Sequence, residues 1–173
     1  QAKRRPFMLS HLVNSLNHFL HFPKAKAHCD IPCGIYDPTP AQIDALTVVR
    51  MMDLMAALDK GDDTNKMKYH NSMTRYIVVK EEHAESLKNE IRVIWGDFIK
   101  EPHIEKYPEL PSLVHKIMQL GSKVRQTADR DQGLALIDAV NQFAAIFWAI
   151  KDVPTKKAKA PYAPGLEMVY PDL

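Results

Sequence analysis

The stretch from Ala25 to Pro40, AKAHCDIPCGIYDPTP, holds both cysteines of the chain, Cys29 and Cys33, with His28 directly in front of them. Two thiols and an imidazole within six residues, beside the turn formers Pro32 and Gly34, are suited to three kinds of chemistry. One is a structural disulfide, although so small a loop restrains little of the unfolded chain. The second is a redox dithiol, although the spacing is not Cys-x-x-Cys and no βαβ pattern surrounds it. The third is a metal site, which the adjacent imidazole favours. Zinc is the default for Cys and His. A structural zinc site, however, takes four ligands, commonly as two separated pairs, and the chain has no other cysteine.

The donor count changes if the chain is cut between Ala27 and His28. His28 then supplies a free α-amine as well as its imidazole, and the Cys29 amide can deprotonate and become a ligand. Two nitrogens and two thiolates make a planar set, the geometry preferred by Ni(II) or Cu(II), with the imidazole on the axis. Anionic thiolate and amidate donors stabilise a higher oxidation state, which makes such a centre a one-electron redox site.

The segment ahead of the cysteines differs from everything after it. Residues 1–27 carry Lys3, Arg4, Arg5, Lys24 and Lys26 and no acid, whereas the remainder has 18 basic against 21 acidic residues. The formal charge of +2 thus hides a leader of +5 and a body near −3. Met8, Leu9, Leu12, Val13, Leu16, Phe19 and Leu20 give the leader one apolar helical face. His11, His18 and His21 share another face and are read as polar-face histidines. An acid-free, amphipathic, Arg-containing segment has the composition of an import or pro-peptide, and Ala25-x-Ala27 suits cleavage. A removable segment over 1–27 is expected, in a cytoplasmic protein or one imported into an organelle. The body has no basic stripe or nucleic-acid motif, and no uninterrupted apolar run nears the ~18 residues of a membrane span. Neither nucleic acid nor membrane is an expected partner.

Behind the 28–38 hook the apolar spacing is helical. Asp37-Pro38 and Thr39-Pro40 start a first helix that Gly61 ends. A long second helix carries Ala84, Leu87, Ile91, Ile94 and Phe98 as a 3-4-3-4 core seam ended by Pro102. Leu110, Leu113, Val114, Ile117 and Val124 line a third helix, and Ile137, Val140, Phe143, Ala144 and Phe147 a fourth. Four amphipathic segments with short loops predict an all-α fold, an antiparallel four-helix bundle over 39–153 with an N-terminal metal-binding hook. No strand is predicted, and the proline-rich tail over 154–173 reads as extended. Met51, Met52 and Met55 read as core or subunit contacts. The first helix is apolar on more than one face, which points to oligomerisation.

The run HCDIPCGIYDP resembles the nickel-binding hook of nickel superoxide dismutases, a family whose mature chain begins His-Cys-Asp-x-Pro-Cys-Gly-x-Tyr. The resemblance continues through VVKEEHAE, IRVIWGDFIKEPHIEKYPEL and IFW, and spans about residues 28–152. It implies disproportionation of superoxide by a nickel ion held by His28, Cys29 and Cys33, in a homohexamer released from its prosequence by a maturation protease. Tyr36 matches a tyrosine that governs small-anion access, Pro32 turns the hook, and Asp30 supports its backbone. Asp44 matches a position, commonly Glu, that orients the axial imidazole, and His83 falls on its usual Arg partner. Phe98 replaces a second tyrosine. Lys100 matches nothing more specific than a solvated lysine, with steering of the anion as its functional reading. The reading from another class is a non-enzymatic metal-binding bundle holding zinc or copper.

Overall fold

A computed structural model describes residues 34–61 and 65–173, within the compact unit Gly34–Leu173. Helix α1 spans Thr39–Asp59 and is entered through two prolines. Pro38 caps it and Pro40 sits in its first turn, where a missing N–H is no loss. The Thr39 N–H donates to Asp37 Oδ1 at 2.7 Å, which bends the chain into the helix. Helix α2, Lys66–Val93, starts at Asn65, whose side chain accepts from the Lys68 N–H. Helix α4, Leu110–Gln126, and helix α5, Arg130–Ile150, are joined by three residues. Short connections force neighbouring helices to run antiparallel.

Helix α1 packs on α2 and α5, and α4 packs on α2 and α5, so the four close into a ring. The core carries the predicted stripes: Ala84, Leu87, Ile91 and Ile94 from α2, Leu110 and Ile117 from α4, Val140, Phe143 and Phe147 from α5. Gly133 lets α5 approach α1 closely, because a Cβ there would lie 2.8 Å from Val49 Cγ2. Met52 is buried in that contact, while Met51 and Met55 are half-buried.

The end of α2 departs from the expected seam. Ile94–Phe98 form a π-helical turn in which the Ile99 N–H donates to the Ile94 carbonyl at 3.1 Å. One extra residue enters the turn, so Ile99 takes the buried place and Phe98 swings to the rim. Pro102 does not end this helix. Ile99 and Lys100 are extended, and Pro102 instead sits in the first turn of a short helix α3, Glu101–Lys106.

The tail also differs from expectation. It is an antiparallel hairpin of β1, Thr155–Lys159, and β2, Glu167–Pro171, with Lys157 opposite Val169. Strand β1, TKKAK, is exposed throughout and has no apolar alternation to read. The hairpin holds because Met168 and Val169 of β2 are buried.

A polar belt ties α2 to α4. Lys80 is only 3% exposed, and its ammonium donates to the Val124 and Arg125 carbonyls at 2.6 and 2.7 Å and to Glu81 at 2.9 Å. It satisfies backbone carbonyls in the last turn of α4, where a cation is favoured. Arg125 spans Glu81 and Glu85. Partial burial works to raise the carboxyls of Glu81 and Glu85. Hydrogen bonds and charge from Lys80 and Arg125 at Glu81, and from Arg92, Lys88 and Arg125 at Glu85, outweigh it and hold both below the usual carboxylate value.

Replacing Lys80 by Met should cost about 2 kcal/mol in urea unfolding, since it orphans carbonyls at a buried helix end. The depressed carboxyls set a second expectation. Their stabilisation is complete above the ordinary carboxyl value of 4.5 and fades as the pH falls from there through their lower folded values. Thermal scans from pH 7 to 3 should show stability falling below about pH 4.5, and Arg125→Gln should flatten that fall. An unchanged acid slope in the variant contradicts the assignment.

Candidate metal centre

The predicted ligands His28, Cys29 and Cys33 lie outside the described residues, as do Asp30 and Pro32 and the whole 1–27 leader. Among the described residues, no group of three or more His, Cys, Asp or Glu is gathered as a metal site. The described part of the candidate centre begins inside the predicted 28–38 hook, at Gly34. Gly34 has φ +72°, a left-handed conformation that glycine adopts without a Cβ penalty. Two residues on, Tyr36 packs half-buried against the core.

Its ring stands 5.6 Å from that of Phe98, tilted by 47°. Phe98 in turn lies 4.9 Å from Phe147 and stacks on His103 at 5.6 Å. Phe147 meets Trp148 edge-on at 5.1 Å. Tyr36 is thus the outer member of an aromatic row that runs into the core. The Lys151 ammonium lies over the faces of Phe98 and Phe147, at 5.5 and 5.2 Å from their centroids. Offset and tilted ring pairs and cations over ring faces are both favourable arrangements. Lys100 is exposed at the end of the π turn, and its backbone N–H donates to His103 Nδ1 at 3.1 Å.

Asp44 and His83, aligned by resemblance from distant parts of the chain, are brought together. His83 Nδ1 lies 2.6 Å from Asp44 Oδ1, across the contact of α1 and α2. With its proton on Nδ1, the ring donates to the carboxylate. Asp44 is buried and His83 is half-buried, so the pair has a dry side and a wet side.

Two features escaped the sequence reading. Lys151 follows Phe147 by four residues at helical spacing, but its place over Phe98 leaves no local signal, because that ring comes from a distant part of the chain. Gln42 and Asn141, both buried, join α1 to α5 through a 2.8 Å side-chain hydrogen bond. The signal available for them was an amide placed inside an otherwise apolar helical face.

Comparison with known proteins places these residues in a wider context. The family described as nickel-containing superoxide dismutase matches residues 23–151. A Streptomyces seoulensis protein named superoxide dismutase [Ni] is 39% identical over 134 residues, 76% of this chain and 95% of that one. A Streptomyces coelicolor protein of the same name is 39% identical over 125 residues, 72% of this chain and 88% of the other. A native nickel superoxide dismutase structure aligns at 39% identity with a TM-score of 0.63, covering 72% of this chain and 99% of that chain. A crystal structure described as having oxidised-state nickel ligation aligns at 38% identity with a TM-score of 0.64 and the same coverage.

Removing the ring of Phe98 should expose this row. Phe98→Ala is expected to cost about 2 kcal/mol in urea unfolding, below the usual range for a buried Phe because the side chain is at the rim. Phe98→Tyr should leave the unfolding midpoint within the error of the measurement.

Proposed function

The chain belongs to the nickel-containing superoxide dismutase family, and we propose that it disproportionates superoxide with nickel held by His28, Cys29 and Cys33. The observation that carries this reading is the HCDIPCG run inside a family match that extends over the bundle. The donor set would suit nickel: two thiolates and an amidate are anionic and stabilise an ion that gains and loses one electron. Nickel held there would supply Ni(II)/Ni(III) redox chemistry, sufficient to convert two superoxides and two protons into O2 and H2O2.

The chain's own residues orient, admit and protect. The Tyr36 phenol gates small anions and holds a proton at its hydroxyl, and Phe98 fixes the direction of its ring. Asp30 braces the backbone of the hook. Asp44, held by His83, stands where the family has the acid that orients the axial imidazole, and the shorter acid and the histidine partner distinguish this chain from the commoner Glu and Arg at those positions. Lys151 adds positive charge beside the aromatic row, and a cation near the entrance raises the encounter rate of an anion. Exclusion of larger molecules matters because the thiolates face their own product, peroxide.

The finer reading has three parts. A maturation protease frees the His28 amine by cutting after Ala27, where the small residues of Ala25-x-Ala27 suit cleavage. The mature protein assembles as a homohexamer, for which exposed Ile43 on α1 and Ile77 and Val78 on α2 supply apolar surface. The protein works in the cytoplasm, or in an organelle to which its basic leader directs it, without nucleic-acid or membrane partners. The burial of the apolar side of α5 in the bundle core supports the absence of a membrane span there.

Metal analysis joined to N-terminal mass determination tests the centre. Nickel in stoichiometric amount with a chain starting at His28 is the expected result. Zinc in its place, with no superoxide consumption, would favour the storage-type bundle. Cys29→Ser and Cys33→Ser should each abolish activity and leave the helical circular dichroism intact. Protein retaining residues 1–27 should be inactive with nickel supplied, because its α-nitrogen is still an amide.

A further inference from the structure

The family match ends at residue 151, and the hairpin follows immediately. Asp152, at φ +55°, turns the chain at the end of α5, with the Val153 N–H donating to the Trp148 carbonyl at 3.0 Å. Strand β2 then lies along α5 and buries Met168 and Val169. One side chain carries the hairpin's hold further inward. Asn141 of α5 is 6% exposed, and its Nδ2 donates to the Glu167 carbonyl of β2 at 2.9 Å. Its Oδ1 accepts from Gln42 Nε2 of α1 at 2.8 Å. Gln42 is 2% exposed, and its Oε1 has no partner among the described residues. The Gln42 backbone N–H donates to the Pro38 carbonyl, inside the turn that follows Tyr36.

A buried amide is held strongly by its partner, because breaking the bond leaves polar atoms dry and unpaired. Gln42 lies six residues after Tyr36 and two before Asp44. The chain Glu167–Asn141–Gln42 therefore ends at the start of α1, between Tyr36, which precedes the helix, and Asp44, which lies within it. We propose that the C-terminal hairpin is a clasp on the start of α1, with Asn141 and Gln42 as positioning residues that set where Tyr36 and Asp44 stand and how firmly nickel is retained. Only the last clause rests on the nickel reading.

Hydrogen exchange on the full chain, nickel-free and nickel-loaded, separates the parts. Asn141→Leu, Gln42→Leu and a chain ended after Val153 are compared with the unaltered protein. The expected result for each is exchange about tenfold faster at Ala41–Asp44, the loss of one buried hydrogen bond, with Leu87 and Ile117 of the far seam unchanged. Nickel release to EDTA should quicken in step, and the thiolate-to-nickel absorption bands should shift. The double variant should be little worse than either single one, since both break one chain. Unchanged exchange at Ala41–Asp44 in both point variants overturns the clasp. Acceleration spread evenly over all four helices also overturns it, by showing a general loss of stability. Local loosening with unaltered nickel release refutes the positioning role. Protein that never takes up nickel contradicts the nickel reading and leaves the exchange result to judge the clasp.

Discussion

The register shift at the end of α2 is the constraint on which the described part of the candidate centre depends. Ala84, Leu87, Ile91 and Ile94 descend one face of the helix at core spacing, and an unbroken α-helix would bring Phe98 next into that seam. The π turn adds one residue to the winding. Ile99 fills the core, and the Phe98 ring is released to stand between Tyr36 and Phe147. A π turn loses hydrogen-bond quality relative to an α turn, and such turns concentrate at functional sites. Here the local loss is offset by the burial of Ile99 and by the aromatic row.

That row and the Asp44–His83 pair draw on several helices. Phe147 belongs to α5, Phe98 to the π turn after α2, and Asp44 to α1, so no single helix holds the described part of the candidate centre. The seam between α2 and α4 is tightened separately by Lys80 and the Glu81–Arg125–Glu85 bridge. A buried ammonium on helix-end carbonyls replaces the water those carbonyls would otherwise need, and burial of the lysine stem covers apolar surface. The polar belt keeps that seam in register while α1, on the other side of α2, carries Asp44.

Much of the fold was legible because amphipathic helices report their buried faces directly. Leu110, Leu113, Val114 and Ile117 needed only their spacing to be assigned inward, and all four are buried. The hairpin was not legible. TKKAK has the composition of a solvated tail, and it pairs only because β2 returns to bury Met168 and Val169. Pro102 misled for a related reason: a proline is equally at home after one helix and in the first turn of the next.

The proposed donors His28, Cys29 and Cys33, and the family to which the chain belongs, are matters of covalent order. Residues within six positions are neighbours by virtue of the chain itself, so their types and spacing can be read before any fold exists. Partners drawn from separate helices are another matter. The pairing of His83 with Asp44, the ring of Phe98 beside Tyr36, Lys151 above Phe98, and Asn141 between Gln42 and Glu167 exist only once four helices have packed. Packing selects among side chains that are far apart in sequence, and no local pattern encodes which of them will meet.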